Sequence, residues 1–110
     1  MLDMMKMMGK AKEVQEKMKK AQESLGELII EAESGAGMVT ARVNGKKELL
    51  DLKIDDSLID PKDAEMLKDL IVAAVNKAMS EADQKAREHI QKVTQEFLPN
   101  IPGFDLSGLV

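Results

Sequence analysis

The first quarter of the chain carries apolar residues at the spacing of an amphipathic helix. They form two interleaved series with a seven-residue period, namely Met4, Ala11, Met18 and Leu25, and Met7, Val14, Ala21 and Leu28. This period places both series along one seam of a helix. The lysines of the segment lie off the seam, so the outer faces of the helix are basic. We predict a helix over about residues 3–25 that ends near Gly26.

The apolar period changes to two between residues 27 and 55. The alternating positions are Leu28, Ile30 and Ala32, then Val39, Ala41 and Val43, and finally Leu50, Leu52 and Ile54. Alternation of this kind is typical of half-buried strands. Residues 34–37 supply one turn, and Asn44-Gly45 is the dipeptide that best tolerates positive φ in a two-residue hairpin turn. The segment therefore predicts a three-stranded antiparallel meander.

A second, much longer helix is predicted over about residues 61–97. Asp60 is a suitable N-cap, Pro61 suits the first helical position, and nothing interrupts the pattern before Pro99. Its apolar stripe consists of Leu67, Ile71, Ala74, Ala78, Ala82, Ala86, Ile90, Val93 and Phe97. The fold class is thus α+β in the order α-β-β-β-α, as one domain over residues 1–98. Residues 99–110 form an irregular apolar tail rich in Pro and Gly.

The lengths of these elements do not fit a compact monomer. A helix over residues 61–95 would be about 52 Å long, whereas a compact chain of this size has a radius of gyration of about 13 Å. The start of the first helix and the end of the second must therefore project beyond the sheet and cover each other. We predict an antiparallel two-helix prong, with the Met4 to Ala21 seam against the alanine-rich stripe.

A three-stranded sheet with helices on one face leaves its other face bare. The bare face is expected to carry three apolar residues among charged ones, Ile29, Met38 and Leu49. Pairing with a second copy would cover these residues and make a homodimer. The alternative is a monomer with scattered exposed apolar residues.

The chain offers little for catalysis or for cofactor binding. It has no cysteine, and its single histidine, His89, lies in a charged helical segment where an exposed or edge position is the simpler interpretation. The carboxylates around Asp55 match no calcium loop. We expect no enzyme activity, no metal, no cofactor and no small-molecule substrate. No apolar run approaches the length of a membrane span, so a cytoplasmic protein without a membrane partner is predicted.

The distribution of charge is more informative than the formal net charge of -4. Residues 1–24 carry six lysines against four acids, a net of +2, whereas residues 27–60 carry four bases against eight acids, a net of -4. The prong is thus basic and the sheet acidic, which suits contact with the phosphates of duplex DNA. The alternative is an ordinary solvated face. With no Trp or Tyr and only two Phe, a stacking platform for single strands is not expected.

Several motifs together resemble one family. They are Gly35-x-Gly37-x-Val39, Asn44-Gly45, and the helical signature Asp60-Pro-x-Asp63-x-Glu65-x-Leu67-x-Asp69-Leu70-Ile71-x-Ala73-Ala74-x-Asn76-x-Ala78. This set is similar to the YbaB/EbfC family of nucleoid-associated proteins. The resemblance implies a tweezer-shaped homodimer with protruding helices that binds double-stranded DNA in the bacterial nucleoid. Lys68 departs from the acid usual in the signature, and Asn76 is interpreted as structural, within a helix interface.

The family has no tight DNA-contact motif, so the resemblance implies only basic positions on the prong. These positions are Lys10, Lys12, Lys17, Lys19, Lys20, Lys85, Arg87 and Lys92. Binding through them would be largely to the phosphate backbone, with little sequence specificity. The alternative function is an acidic dimeric adaptor or chaperone that binds protein segments through the Met-rich first helix and the apolar tail.

Overall fold

The computed structural model of the chain describes residues 2–97. The long elements are α1 (Leu2–Ser24), β1 (Ile29–Ser34), β2 (Val39–Asn44), β3 (Leu49–Ile54) and α2 (Ala64–Phe97). Short 3-10 turns occupy Leu25–Glu27, Asp56–Leu58 and Pro61–Asp63. The predicted α+β order, α-β-β-β-α, is confirmed. The tail proposed for residues 99–110 lies outside the described residues. No helix within residues 2–97 is both long and apolar enough to cross a membrane.

The three strands form one antiparallel sheet in the order β1-β2-β3. Ala41 of β2 pairs with Ala32 of β1 and with Leu52 of β3. An irregularity after Arg42 places Val43 opposite Leu49. Leu50 is therefore skipped in the pairing.

This bulge corrects the simple alternation expected for the third strand. The sequence pattern placed Leu50 with the core-facing residues of β3, but its side chain is 48% exposed. An extra residue in one strand reverses the faces of the residues beyond it. The alternating pattern of the sequence does not indicate which residue of the strand is the extra one.

The core lies between the sheet and the first half of α2. Val39, Ala41 and Val43 of β2 are fully buried and cluster with alanines of α2. Those alanines are Ala74, Ala78 and Ala82. The prediction that the alanine stripe packs against the Met4 to Ala21 seam of α1 is therefore wrong for these three. Their small side chains let α2 approach the sheet closely, and only the later Ala86 faces α1.

The two hairpin connections use their glycines differently. Gly35, Ala36 and Gly37 all have positive φ, at 59°, 54° and 89°, which is the conformation glycine adopts at no steric cost. Asn44-Gly45 does not form the predicted two-residue turn. The connection instead runs over residues 45–48, and its positive φ of 62° belongs to Lys47.

Gly45 is required for close approach rather than for its φ. Its N–H donates to the carbonyl oxygen of Leu25 at 2.9 Å, and a Cβ at this position would lie 2.5 Å from that same oxygen. The Asn44 side chain organises the turn by accepting from the N–H groups of Lys46 and Glu48, at 2.9 and 3.1 Å. The turn therefore packs against the 3-10 turn that follows α1.

The molecule is strongly elongated. Its radius of gyration is 19.9 Å and its extents are 74 × 22 × 16 Å, whereas a compact chain of this size would have a radius of about 13 Å. The 34 residues of α2 account for about 51 Å of this length. The second half of α2 therefore projects beyond the sheet, as the helix length predicted.

Candidate nucleic-acid interface

Two regions of the molecule differ in packing and charge. The body comprises residues 27–84, which form the sheet and the part of α2 that covers it. The prong comprises residues 2–24 of α1 and residues 85–97 of α2. Side-chain contacts join Ser24 to His89 and Met18 to Thr94. Since the α2 number rises as the α1 number falls, the two helices of the prong are antiparallel.

A small apolar cluster holds the base of the prong together. Four buried residues form it, namely Ala21 of α1, Leu25 of the 3-10 turn that follows α1, and Ala86 and Ile90 of α2. Met18 and Val93 pack against its edge. This contact confirms an antiparallel helix pair, but it covers only the last third of α1.

Polar side chains add to this contact. The Ser24 hydroxyl donates to a carbonyl oxygen of its own helix at 2.8 Å and lies 2.7 Å from Nε2 of His89. Which of the two groups donates in the second bond is set by the tautomer of the His89 ring. The Thr94 hydroxyl donates to the Ile90 carbonyl oxygen at 2.9 Å and lies 3.3 Å from the sulfur of Met18. His89 is therefore a half-buried link between the helices, a role that its charged sequence neighbours did not indicate.

The basic residues of α1 lie on its exposed surface. Lys10, Lys12, Lys19 and Lys20 are exposed, and within residues 2–97 none of the four has a carboxylate at salt-bridge distance. Lys17 is half-buried and pairs with Glu13 at 3.1 Å. Four of the five predicted α1 positions are thus available to an external anion.

The basic residues at the end of α2 also include some that pair with a carboxylate and one that does not. Arg87 contacts Asp83 at 3.1 Å, and Lys85 lies 3.9 Å from Glu88. Lys92 is exposed and has no such partner among the described residues. The structure therefore places all eight predicted bases on the prong, with Lys17, Lys85 and Arg87 sharing their charge with a neighbouring acid.

An ion-pair network marks the junction between body and prong. The ammonium of Lys47, in the turn after β2, lies 2.7 Å from the Asp83 carboxylate, which also accepts from Arg87. The hydrogen bond from Lys47, aided by the positive charge of Arg87, lowers the pKa of Asp83. The i,i+4 spacing of Asp83 and Arg87 in the sequence indicated the contact between these two residues. Nothing in the sequence indicated Lys47.

The difference in net charge between the prong and the body is larger than the difference between residues 1–24 and residues 27–60. The described prong carries nine bases against six acids, a net of +3, and the body seven bases against thirteen acids, a net of -6. On the sheet, Arg42 is paired with Glu31 at 2.7 Å and lies opposite Asp51. A polyanion is therefore attracted by the prong and repelled by the body.

The three residues predicted for a dimer interface occupy different environments. Ile29 and Leu49 are 56% and 45% exposed, so both offer apolar surface, with Leu50 beside Leu49. Met38 is half-buried and packs against the main core cluster. Asn76, which was interpreted as lying within a helix interface, is exposed on α2. Within residues 2–97, no group of three or more metal-ligating side chains comes together.

A comparison with known protein families identifies the family that has this architecture. The model of the YbaB/EbfC DNA-binding family matches residues 1–97. The chain belongs to this family. The resemblance inferred from the glycine motifs and from the signature of α2 is thereby confirmed, and the family is one of DNA-binding proteins.

Relatives cover nearly the whole chain. A nucleoid-associated protein of Syntrophobacter fumaroxidans is 42% identical over 102 residues, which cover 93% of this chain and 91% of the relative. Another from Agrobacterium fabrum is 45% identical over 106 residues, covering 96% and 98%. The crystal structure of an uncharacterized protein from Helicobacter pylori superposes with a TM-score of 0.59 at 28% identity, covering 71% of this chain and 90% of that one.

Proposed function

We propose that this protein binds double-stranded DNA in the bacterial nucleoid through the lysines of its prong. The contacts are to backbone phosphates, so affinity depends on salt and only weakly on base sequence. The observation that carries the proposal is the charge separation, +3 on the prong against -6 on the body. Membership of a DNA-binding family and relatives named nucleoid-associated proteins support it.

The spacing of the exposed lysines suits an extended polyanion. Lys12 and Lys19 are seven residues apart on one helix and therefore share a face, about 10 Å apart along its axis. Phosphates follow one another about every 3.4 Å along the duplex axis on each strand, so the two ammonium groups can contact different phosphates. Lys20 adds a third charge beside Lys19. The chain has no Trp or Tyr and only two Phe, so few side chains could stack on bases, which favours duplex over single strands.

We infer that the acting species is a homodimer that presents two prongs to the duplex. The exposed apolar side chains at the ends of β1 and β3, Ile29 and Leu49, supply the proposed contact surface. Met38 contributes only if its half-buried side chain is reached from the partner. Two prongs would double the phosphate contacts and raise affinity by linking them.

The DNA proposal is tested with two variants of equal net charge. In the prong variant Lys12, Lys19 and Lys20 are changed to Gln, and in the body variant Lys53, Lys68 and Lys77 are changed to Gln. Removing one lysine–phosphate contact should reduce the slope of log affinity against log salt by about 0.9. We expect the prong variant to lose binding on every duplex sequence and to reduce the slope by about 2–3 for each prong that contacts DNA. The body variant should keep the wild-type slope.

Two outcomes would contradict this assignment. An equal loss of DNA affinity in both variants would show that affinity depends on the net charge of the protein and not on the lysines of the prong. Wild-type affinity and slope in a folded prong variant would remove the prong as the DNA site, and the adaptor hypothesis would then lead.

The dimer is tested separately by sedimentation equilibrium at micromolar concentration. We expect a species of twice the 12.1 kDa of one chain, and dissociation on Leu49→Glu. Ile59→Glu is the matched control, because Ile59 is also exposed but lies in the segment before α2. A folded monomer in the wild type would overturn the dimer proposal.

A further inference from the structure

The apolar seam of α1 continues well beyond the end of α2. Successive residues of an α-helix are rotated by about 100°, so Met4, Met7 and Ala11 lie on the same side of α1 as Val14 and Met18. Met18 contacts Thr94 of α2, and antiparallel pairing then places the end of α2 at Phe97 near residue 15 of α1. The seam from Ala11 to Met4 therefore has no partner within residues 2–97.

The side chains of this uncovered seam are exposed and strongly apolar. Met4, Met7 and Met8 are 69%, 70% and 66% exposed. Methionine packs well against irregular partners because its side chain is flexible and polarizable. Met5, at 75% exposure, points to the opposite side of the helix and offers an internal control. The seam is therefore a continuous apolar surface at the far end of the prong.

The chain itself supplies a matching segment immediately after α2. Residues 98–110 contain one charged residue, Asp105, and several apolar ones: Leu98, Ile101, Phe104, Leu106, Leu109 and Val110. Pro99 and Pro102 prevent continuation of the helix and favour an extended backbone. Because α2 already runs toward the start of α1, an extended continuation follows the exposed seam without reversing direction.

The lengths agree as well. Met7 lies about 12 Å along α1 from residue 15, and Ile101 lies about 12 Å beyond Phe97 in an extended, proline-containing chain. Phe104, about 22 Å beyond Phe97 in such a chain, would then lie just past Met4, which is about 17 Å from residue 15 along α1, and an aromatic ring makes favourable contact with sulfur. Thirteen extended residues span about 43 Å, far more than the seam requires.

We propose that residues 98–110 pack along the methionine seam of α1 in the same chain, with Ile101 against Met7 and Phe104 near Met4. The tail completes the prong where α2 ends, and it covers apolar surface that would otherwise attract a second chain. The basic face of α1, which carries Lys12 and Lys19, stays open. The proposal does not depend on DNA binding.

Disulfide formation in the full-length chain tests the pairing directly, because the protein has no native cysteine. Met7→Cys combined with Ile101→Cys should form an intrachain disulfide under mild oxidation. The rate should exceed that of the Met5→Cys, Ile101→Cys pair at least about tenfold, because docking raises the effective concentration of one thiol near the other. Peptide mass spectrometry and non-reducing gels distinguish intrachain from interchain products.

A fluorescence measurement provides a second readout that does not require a disulfide. The chain has no Trp or Tyr, so Phe104→Trp introduces a single probe whose emission should be blue-shifted by contact with the seam. Adding Met7→Glu should shift the emission to that of a solvent-exposed indole, and adding Met5→Glu should not. Equal disulfide rates in the two cysteine pairs, or an emission unaffected by Met7→Glu, would overturn the proposal. Exclusive formation of interchain disulfides would instead assign the seam to a second copy.

Discussion

The body and the prong share the long helix α2, yet they differ in what surrounds it. In the body, α2 packs on a sheet, and residues such as Val39 and Ala78 have no exposed surface. In the prong, α2 packs within residues 2–97 against α1 and the residues that directly follow it, and the shared cluster has four buried members. The body is acidic and the prong basic.

Because of this difference, the body provides the stability of the fold, whereas the prong provides the surface proposed for binding. Buried apolar surface provides most of the free energy of folding, and most of it lies in the body. The prong has few neighbours, which leaves its lysines exposed on several sides. A protein that must contact a long polyanion gains from such an extended basic surface, provided that the body supplies the stability.

The largest effect should come from removing a core side chain of the body. Leu58 is 1% exposed and belongs to the main core cluster, whereas its neighbour Ile59 is 66% exposed. Leu58→Ala should lower the free energy of unfolding by about 2–5 kcal/mol, because it leaves a cavity. Ile59→Ala should have little effect in chemical denaturation at equal protein concentration. Similar losses for both would show that Ile59 is covered in the folded protein in solution.

A smaller effect should distinguish how tightly each region packs. Ala78 lies under the sheet and Ala86 against α1, and both are buried. Ala78→Leu should cost about 1–3 kcal/mol, since the core cannot expand easily. Ala86→Leu should cost less, because two helices with solvent around them can move apart. Thermal melts measure both, with Ala73→Leu as an exposed control on the same helix; equal costs at positions 78 and 86 would contradict the comparison.

The smallest effect concerns the ion pairs at the junction. The pKa of Asp83 is lowered, mainly by the hydrogen bond from Lys47. A lowered carboxyl pKa stabilises the fold above the unfolded-state value, about 3.9, and the benefit is lost as pH falls through the folded-state pKa. Asp83→Asn should therefore be less stable than the wild type at neutral pH, and the difference should disappear in acid.

Titration of the Asp83 carboxyl by NMR checks the cause of this effect. Its midpoint should rise toward the ordinary value in Lys47→Met. Lys46→Met is the control, since the neighbouring Lys46 makes no contact with Asp83 among the described ion pairs. A midpoint unchanged by Lys47→Met would assign the lowered pKa to Arg87 alone.

Much of the fold followed from periodicity, because seven-residue and two-residue apolar repeats reflect helix and strand geometry directly. The order of elements, the capping Asp60, whose carboxylate accepts from the Lys62 N–H at 3.1 Å, and the projecting α2 were all accessible in this way. The bulge at Leu50 and the turn at Gly45 were not. Both depend on which backbone groups meet across the sheet or against α1.

The candidate site was predictable in kind but not in detail. The excess of lysine in α1 and the family motifs were sufficient to indicate a basic DNA-binding prong. The sequence could not show that Lys17 and Arg87 share their charges with Glu13 and Asp83. It also could not show that His89 contacts Ser24, since these partners are 65 residues apart.

Sequence alone determined the helix and strand types, their order, the basic character of α1 and the family, because each depends on local patterns or on motifs that contacts do not change. Tertiary structure decided how the alanine stripe is divided, with Ala74, Ala78 and Ala82 against the sheet and Ala86 against α1. One continuous apolar face can pack on either partner, and only the three-dimensional path of the chain determines where the sheet ends and the second helix takes over.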